Sequence, residues 1–542
     1  MNEQRQTFVD WLAQRLHSMG TRYLFGVPGG GCSLDLIDAT ARHKIELVLT
    51  AREDAAVIMA GVYGLLASAP GLALCTKGPG LASAANGIAS ASLDRMSVLL
   101  VAETFGPGEL NYLSHQVYDQ SALVRPLLQN GQYDILAPDY EELDAWLSGL
   151  SGPTRQPAVM FPTADAFRSL NNKKVKSSVK TSTIELIETE ELVVTCEMIN
   201  TSTNPIVILG LEAATATLAP EVCKFVETLK APFLSTYMAA GTIPASHPNY
   251  AGIFTGGAIE QRCVNEADLI ILIGLDPVEL IRKPWAYKAP VIDLCETKHV
   301  PHYLVPNVQL CAPLESSLNI LTAKLDPFSS KSSWTNDQIK NHREGFYKGL
   351  EISLESGLSS TDVVKIAATI FEGKPRLSVD AGAHMFSACA FWPSQEPHDI
   401  LISNGLATMG FAFPAALAAA LYDPIRGSLA MTGDGGLLMC LGELNTAAKM
   451  KANICIIVFN DGCLSLIDIK REERQMPDLG LSWDRPDFAA VAKGFGFKSW
   501  KAESIDEFTM ACVKAKKQFG PCLIDVKIDP SGYLDQMKSL RG

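Results

Sequence analysis

The chain has 542 residues, of which 47% are hydrophobic and 19% are charged, so it contains enough apolar material for several buried cores. Its formal net charge is −13, and a negative surface repels phosphate backbones and anionic lipids, which argues against nucleic acid and membrane surfaces as partners. At roughly 100–200 residues per domain, the length predicts about three domains.

We expect neither a targeting segment nor a membrane-spanning helix. Residues 1–20 mix charges with apolar positions at helical spacing, unlike a signal peptide. No uninterrupted apolar stretch reaches the roughly 18 residues that a membrane-spanning helix needs. The thirteen cysteines form no CxxC pair and mostly occupy apolar runs, so we expect free thiols in a reducing cytoplasm.

Short apolar runs alternate with helical patterns along most of the chain. In its first part the predicted strands are 23–27, 45–50, 72–76 and 98–102, and the predicted helices begin at 33, 55 and 82. Later predicted strands are 206–209, 269–273, 376–379, 428–431, 454–459 and 523–526, with a helix over 441–450. This alternation predicts an α/β protein built from doubly wound parallel sheets.

Two polar segments divide the chain into three blocks of similar size. Residues 170–180 are rich in Lys, Asn and Ser, and residues 326–341 are also polar, so both are predicted as linkers. The predicted domains are therefore 1–170, 190–325 and 345–542.

Two acidic residues follow two of the predicted strands. Gly433-Asp434-Gly435 comes directly after one strand, and Asn460-Asp461 comes directly after the next, with 24 residues between Gly435 and Asn460. Open parallel sheets bind ligands at the carboxyl ends of their strands. The two carboxylates and the Cys463 carbonyl could supply oxygen ligands to Mg²⁺. Glycines at 433, 435 and 436 would let a diphosphate approach the backbone. Each motif alone could be an ordinary turn; the paired placement favours a metal site.

The paired motif resembles the signature of thiamine-diphosphate enzymes, with Asp461 in place of the usual second Asn. The resemblance extends over the whole chain and points to the acetolactate synthase-like branch of the pyruvate oxidase and decarboxylase family. The segments that carry it are FGVPGG at 25–30, REDAA at 52–56, TKGPG at 76–80, HQVYDQ at 115–120, DAGAH at 380–384 and GLATMGF at 405–411. Arg52 replaces the family's His, and Lys77 replaces its Ser. The three domains would then be pyrimidine-binding, central and diphosphate-binding.

The resemblance implies a role for each candidate residue. Glu53 would bond N1′ of the aminopyrimidine and promote the imino tautomer that takes the proton from thiazolium C2; an ordinary helix-start Glu is the alternative. Gln116 would face the substrate, or else lie exposed in a loop. The implied cofactor contacts are Gly382, His384, Ala407, Met409, Gly433, Asp434, Gly435, Gly436 and Asp461. The implied metal ligands are Asp434, Asp461 and Cys463, and the implied substrate contacts are Gly30, Gly31, Lys77 and His115.

Some of these residues have equally simple structural interpretations. Met409 would wedge the cofactor into a bent shape, but a Met also suits core packing. The Ala407 carbonyl would accept from the 4′-amine. His384 would contact the diphosphate, or would be an ordinary hydrogen-bonded polar residue.

The groups that donate a proton in simple decarboxylases of this family are largely absent, and this absence indicates the reaction type. Gly30 and Gly31 stand where simple decarboxylases carry a carboxylate, and Thr76 stands where one branch carries His. Residues 100–130 contain a single histidine, His115, where simple decarboxylases have a pair. We therefore expect decarboxylation of a 2-oxo acid followed by carboligation. Aldehyde release, or lyase action on a 2-hydroxy ketone or acyl-CoA, remains open, as does a non-catalytic relative or a nucleotide-binding protein. The glycine turn at 26–31 lacks the dinucleotide fingerprint.

Cofactors and partners follow from the same resemblance. Thiamine diphosphate and Mg²⁺ are expected. The segment 251–258 lacks the glycine-rich stretch of true acetolactate synthases, which argues against FAD. Glu53 and Asp434 fall in different domains, so a homodimer or homotetramer with active sites at the subunit interface is expected, acting on a small 2-oxo acid.

Overall fold

The computed structural model describes residues 6–106, 108–128, 131–135, 138–152, 155–170, 189–280, 284–299, 304–325 and 332–542. These residues form three six-stranded sheets, each entirely parallel, with helices packed against them. The predicted α/β class with three parallel sheets is confirmed.

The first sheet has the strand order β2-β1-β3-β4-β6-β5, so the chain reverses its direction of growth between β1 and β3. Its strands are β1 (Tyr23–Val27), β2 (Glu46–Leu49), β3 (Gly71–Cys75), β4 (Val98–Ala102), β5 (Gln132–Ile135) and β6 (Ala158–Pro162). Its helices are α1 (Phe8–Ser18), α2 (Cys32–Arg42), α3 (Glu53–Ala67), α4 (Pro79–Leu93), α5 (Gln120–Val124), α6 (Tyr140–Gly149) and α7 (Ala164–Arg168). Alternate strand residues such as Leu24 and Phe25 enter separate cores on the two faces of the sheet.

The central sheet has the order β12-β11-β10-β7-β8-β9 and reverses between β7 and β10. Its strands are β7 (Pro205–Leu209), β8 (Phe233–Ser235), β9 (Tyr250–Ile253), β10 (Leu269–Ile273), β11 (Val291–Cys295) and β12 (Val308–Cys311). Its helices are α8 (Glu190–Thr201), α9 (Ala219–Leu229), α10 (Gln261–Asn265) and α11 (Leu314–Lys324).

The third sheet has the order β14-β13-β15-β16-β18-β17. Its strands are β13 (Arg376–Val379), β14 (Ile400–Ile402), β15 (Ser428–Gly433), β16 (Ile454–Asn460), β17 (Lys498–Ala502) and β18 (Cys522–Lys527). Its helices are α13 (Ser360–Phe371), α14 (His384–Phe391), α15 (Ala412–Tyr422), α16 (Asp434–Met439), α17 (Glu443–Met450), α18 (Ser465–Glu473), α19 (Phe488–Gly494), α20 (Ile505–Lys516) and α21 (Tyr533–Arg541). Helix α12 (Asn336–Leu350) packs against β9 of the central sheet and against α14 and α21.

Two predictions about local structure are wrong. Residues 336–341 are not linker but the start of α12, where the Thr335 hydroxyl accepts from the Gln338 N–H and Gln338 reaches back in a capping box. The segment after Gly435 holds two helices, not one, because α16 begins at Asp434 and α17 follows it. Of the first predicted linker, residues 171–180 lie outside the described residues.

One core joins the first domain to the third. Helices α3 and α15 are apolar around nearly their whole circumference and pack against each other. A helix that is hydrophobic on all sides must be covered on all sides. Each of these two helices therefore lies between its own sheet and the other domain, which fixes the turn before Glu53 relative to the third sheet.

Candidate active site

Asp434 and Asp461 meet at the carboxyl edge of the third sheet. Strands β15 and β16 are neighbours with Gly433 opposite Phe459, so the residue after each strand emerges at the same edge. The Gly435 N–H donates to Oδ1 of Asp434 at 2.7 Å, and the Gly462 N–H donates to its Oδ2 at 2.8 Å. The second bond ties the two strand-end loops together.

Burial disfavours the charged form of both carboxylates. Burial, and then repulsion from Asp461, raise the pKa of the Asp434 carboxyl to about 6. Burial also raises the pKa of Asp461, although a 2.6 Å hydrogen bond from the Ser465 hydroxyl opposes this. A divalent cation between two such groups would relieve both effects, and carboxylate oxygens are the ligands that Mg²⁺ prefers.

Asn460 serves the fold instead of this site. Its Nδ2 donates to Oδ1 of Asp525 at 2.9 Å and to the Pro486 carbonyl at 3.0 Å. Asp461, not Asn460, lines the cavity described next.

A cavity of about 640 Å³ opens at this edge. Its described lining runs from Tyr237 to Arg541 and includes Gly382, His384, Ala407, Met409, Gly433, Asp434, Gly435, Gly436, Asp461 and Cys463. The structure thus brings together every third-domain residue that the sequence analysis proposed as a cofactor contact or metal ligand. A Cβ on Gly436 would come within 2.2 Å of the Asp380 carboxylate, so only glycine lets the backbone pass this close to Asp380.

Asp380 holds the wall in place, a role that sequence reasoning missed. Its Oδ2 accepts from the Thr432 hydroxyl at 2.8 Å and the Gly410 N–H at 3.1 Å, and its Oδ1 accepts from the Phe411 N–H at 3.1 Å. One buried carboxylate, in the loop after β13, therefore joins the segment after β14 to the carboxyl end of β15. Its position directly after a strand was the available signal.

His384 presents an unpaired nitrogen at the cavity. The ring is 4% exposed and stacks on Phe459 with centroids 4.9 Å apart. Burial lowers the pKa of His384 to about 4, so the ring is neutral at pH 7. Within the described part of the chain its Nε2 has no hydrogen-bond partner, which leaves it for a polar ligand.

Ala407 and Met409 shape the opposite wall. Ala407 has a φ of +54°, a left-handed conformation that costs energy in a residue with a side chain. The Met409 methyl lies 3.2 Å from where a Cβ on Gly435 would stand, so it reaches across toward the glycine loop.

The first-domain candidates lie elsewhere, at the carboxyl edge of the first sheet. No described lining residue of the cavity comes from that domain, so within one chain Glu53, Lys77, Gly30 and Gly31 are outside it. Glu53 is the first residue of α3, and its Oε1 lies 3.3 Å from where a Cβ on Gly80 would stand. His115 and Gln116 are exposed; Gln116 has a φ of +63°.

Two buried acidic residues near these candidates were not predicted from the sequence. Glu103 accepts from Lys77 Nζ at 2.9 Å and from the Cys32 N–H at 3.2 Å. Glu443, on α17, accepts from the N–H groups of Ala51 and Arg52 at 3.0 and 3.1 Å and so holds the residues just before Glu53. Both contacts join residues far apart in the chain.

The fold and the cavity define a three-domain α/β enzyme with a polar site at the strand ends of its third domain. Residues 6–123, 194–318 and 380–526 match the thiamine pyrophosphate enzyme N-terminal TPP binding, central, and C-terminal TPP binding domains. Thiamine pyrophosphate is thiamine diphosphate. The chain belongs to the thiamine pyrophosphate enzyme family.

Relatives of known name narrow this to acetolactate synthase-like enzymes. The chain is 25% identical to acetolactate synthase of Bacillus subtilis over 98% of its length and 94% of that protein. It is 24% identical to the catabolic acetolactate synthase of Raoultella terrigena, over 96% and 95%. It is 26% identical to the acetolactate synthase large subunit of Haemophilus influenzae, over 98% and 96%. The chain is a thiamine-diphosphate-dependent enzyme of the lyase or transferase type.

Two further expectations can be compared with the structure. None of the thirteen cysteines, all of which lie in the described part of the chain, forms a disulfide. Among the described residues, no helix combines the length and the hydropathy that a membrane crossing requires.

Proposed function

We propose that this enzyme decarboxylates a 2-oxo acid and joins the remaining acyl unit to a second carbonyl, using thiamine diphosphate and Mg²⁺. The observation that carries the proposal is the pair of buried carboxylates, Asp434 and Asp461, in a glycine-walled cavity of a chain that aligns with acetolactate synthases along its length. Aldehyde release and cleavage of a 2-hydroxy ketone or acyl-CoA are the competing outcomes.

The cavity residues fit the cofactor by their chemistry. Asp434, Asp461 and the Cys463 carbonyl would hold the cation. Gly433, Gly435 and Gly436 would admit the diphosphate, and the unpaired His384 nitrogen and the backbone at Gly382 would contact it. Ala407 and Met409 would face the ring system. The bound cofactor supplies an electron sink for the pair left when carbon dioxide departs.

Glu53 would act as the acid–base group that exchanges a proton with the cofactor. We assign its carboxyl a hydrogen bond to N1′ of the aminopyrimidine. Glu443 supports this role, because it fixes the two backbone N–H groups that precede Glu53 and so sets where α3 begins. Gln116 would act from the substrate side, beside Gly30, Gly31, Lys77 and His115.

The complete site needs two chains in this proposal. Glu53 lies outside the cavity of its own chain, and apolar side chains are exposed beside both halves of the site. Leu110 and Tyr112, just before His115, are 53% and 75% exposed, and Leu438 and Met439, just after the glycine loop, are 44% and 54% exposed. Exposed apolar patches of this kind mark protein interfaces. We propose a homodimer, or a homotetramer built from such dimers.

We also propose that FAD is not bound. In an open parallel sheet a dinucleotide would use backbone N–H groups at the point where strand order reverses. The Glu212 carboxylate, which follows β7 at this reversal, reaches along the carboxyl edge of the sheet and accepts from the N–H groups of Glu296 and Thr297 after β11, at 2.8 and 3.1 Å.

We propose the cytoplasm as the location of the protein, because none of its cysteines forms a disulfide in the described part of the chain. The proposed domains are 1–170, 190–325 and 345–542.

Thermal unfolding with ligands tests the cofactor assignment. Thiamine diphosphate should raise the melting temperature only when Mg²⁺ is present, whereas NAD and ATP should have no effect. A panel of 2-oxo acids should then release carbon dioxide only with the cofactor and Mg²⁺. Stabilisation by NAD or ATP alone, or no carbon dioxide from any acid, would contradict the proposal.

A further inference from the structure

A shielded ion pair lies beside the glycine turn of the first domain. Lys77 follows β3 and Glu103 follows β4; these strands are neighbours with Cys75 opposite Ala102. The Lys77 ammonium therefore reaches Oε1 of Glu103, at 2.9 Å, and the two side chains are only 23% and 7% exposed.

The Glu103 carboxylate is locked in position. Its Oε2 accepts the Cys32 N–H at 3.2 Å, at the start of α2. A Cβ on Gly31 would stand 2.4 Å from Oε1, so this turn can pass over the carboxylate only because residue 31 is glycine. The backbone of the glycine turn therefore fixes the Glu103 carboxylate, and Glu103 fixes the Lys77 ammonium through the ion pair.

Lys77 keeps donors for a ligand. An ammonium has three N–H groups, and Glu103 takes one. Nζ also lies 4.7 Å from the centroid of the Phe105 ring, a cation–π distance that helps to hold the ammonium in place. A Cβ on Gly30 would have nothing within 4 Å in the described part of the chain, so open space lies over the turn.

The residue before Lys77 lies beside the Glu53 carboxyl. Thr76, the neighbour of Lys77, lies between the glycine turn and α4. A Cβ on Gly29 would be 2.3 Å from its Oγ1, and a Cβ on Gly80 would be 3.0 Å from its Cγ2 and 3.3 Å from Oε1 of Glu53. Lys77 is thus one residue from a side chain that packs beside both the turn and the Glu53 carboxylate.

We propose that Lys77, positioned by Glu103, determines acceptor specificity by binding the carboxylate of a second 2-oxo acid. This rests on the proposed function. In the step it serves, the acyl carbon of the decarboxylated donor bonds to the acceptor's carbonyl carbon, and the carbonyl oxygen takes up one proton. No net oxidation occurs. The ion pair favours binding over proton donation, because giving up the Lys77 proton would leave Glu103 as a buried charge without a partner.

Competition between an acid and an aldehyde tests this. The holoenzyme is given the 2-oxo acid that releases carbon dioxide fastest as donor, with 2-oxobutyrate and propanal as competing acceptors, and mass spectrometry counts the cross products. The native enzyme should prefer 2-oxobutyrate. Lys77→Met should lower that preference by roughly tenfold to a hundredfold, the value of one charge-assisted hydrogen bond. Lys77→Arg should retain it, and the exposed control Lys340→Met should match the native enzyme.

Glu103→Gln separates positioning from folding. The amide can still accept the Cys32 N–H but no longer anchors a charge, so the acid preference should fall while cofactor affinity stays normal. If the native enzyme uses both acceptors equally, or if Lys77→Met keeps the native preference for 2-oxobutyrate, the inference about Lys77 is wrong while the proposed function still stands. No carbon dioxide from any acid would overturn the proposed function and this inference with it.

Discussion

The Glu443 carboxyl offers a sharp test of how the third domain positions Glu53. It is fully buried, and its Oε1 accepts the N–H groups of Ala51 and Arg52 while Oε2 accepts the Thr446 hydroxyl at 2.8 Å. Burial raises the pKa of Glu443 to about 7, against about 4.5 in an unfolded chain. The folded protein therefore binds one more proton than the unfolded chain between these values.

The sign and size of the effect follow from linkage. Stabilisation by the protonated carboxyl is complete below about pH 4.5 and is lost as pH rises through about 7. The shift of about 2.5 units corresponds to about 3 kcal/mol, as an order of magnitude. Glu443→Gln should keep the bonds to Ala51 and Arg52 through its amide oxygen and bond Thr446 through its amide N–H. It removes the titrating group.

Thermal melts of the native protein and Glu443→Gln from pH 5 to pH 8 measure this difference. The variant should gain relative stability as pH rises, and the other titrating groups cancel because both proteins share them. Glu443→Ala should be less stable than Glu443→Gln at every pH by roughly 1–3 kcal/mol, since it leaves the two N–H groups without their partner. It should also lose turnover, because α3 then starts less rigidly at Glu53. A constant difference between native protein and Glu443→Gln across this range would refute the reasoning.

The remaining predictions concern the two halves of the site. Asp434→Ala should lose cofactor affinity, whereas Glu53→Gln should bind normally and lose roughly 10²–10⁴-fold in rate; titration with thiamine diphosphate and turnover assays separate the two, and near-normal turnover in Glu53→Gln would remove its assigned role. Mixing inactive Glu53→Ala and Asp434→Ala should restore some activity if subunits exchange, and a fully active monomer at assay dilution would rule out the shared site. Asp380→Ala should weaken cofactor binding although Asp380 itself is not assigned a cofactor contact, because the segments after β13 and β14 and the end of β15 lose their common anchor. Unchanged cofactor affinity would contradict this.

The sequence predicted the third-domain half of the site because that half depends on strand ends. An acidic residue directly after an apolar run predicts a ligand at the sheet edge, and two such runs in neighbouring parallel strands place Asp434 and Asp461 together. Strands that are apolar throughout, such as β4 and β10, are also predicted to the residue, because burial on both faces requires a continuous apolar run.

Contacts between distant residues were not readable from one sequence. Glu443 and Glu103 look like ordinary helix and loop acids until the fold brings Ala51 and Lys77 against them. Helix α12 was mistaken for linker because its first turn is polar. Its capping box and the apolar positions Ile339, Phe346 and Leu350 were the signals that outweighed composition.

Product analysis tests the central claim most directly. The holoenzyme is given pyruvate alone and pyruvate with an added aldehyde, and products with a new carbon–carbon bond are compared with free aldehyde. We predict that carbon–carbon products outweigh aldehyde when an acceptor is supplied, because Gly30, Gly31 and Thr76 provide no acid to protonate the reacting carbon and Lys77 is held by Glu103. Aldehyde as nearly the sole product in both mixtures would contradict the account, and its loss in Lys77→Met or His115→Ala would identify the proton donor.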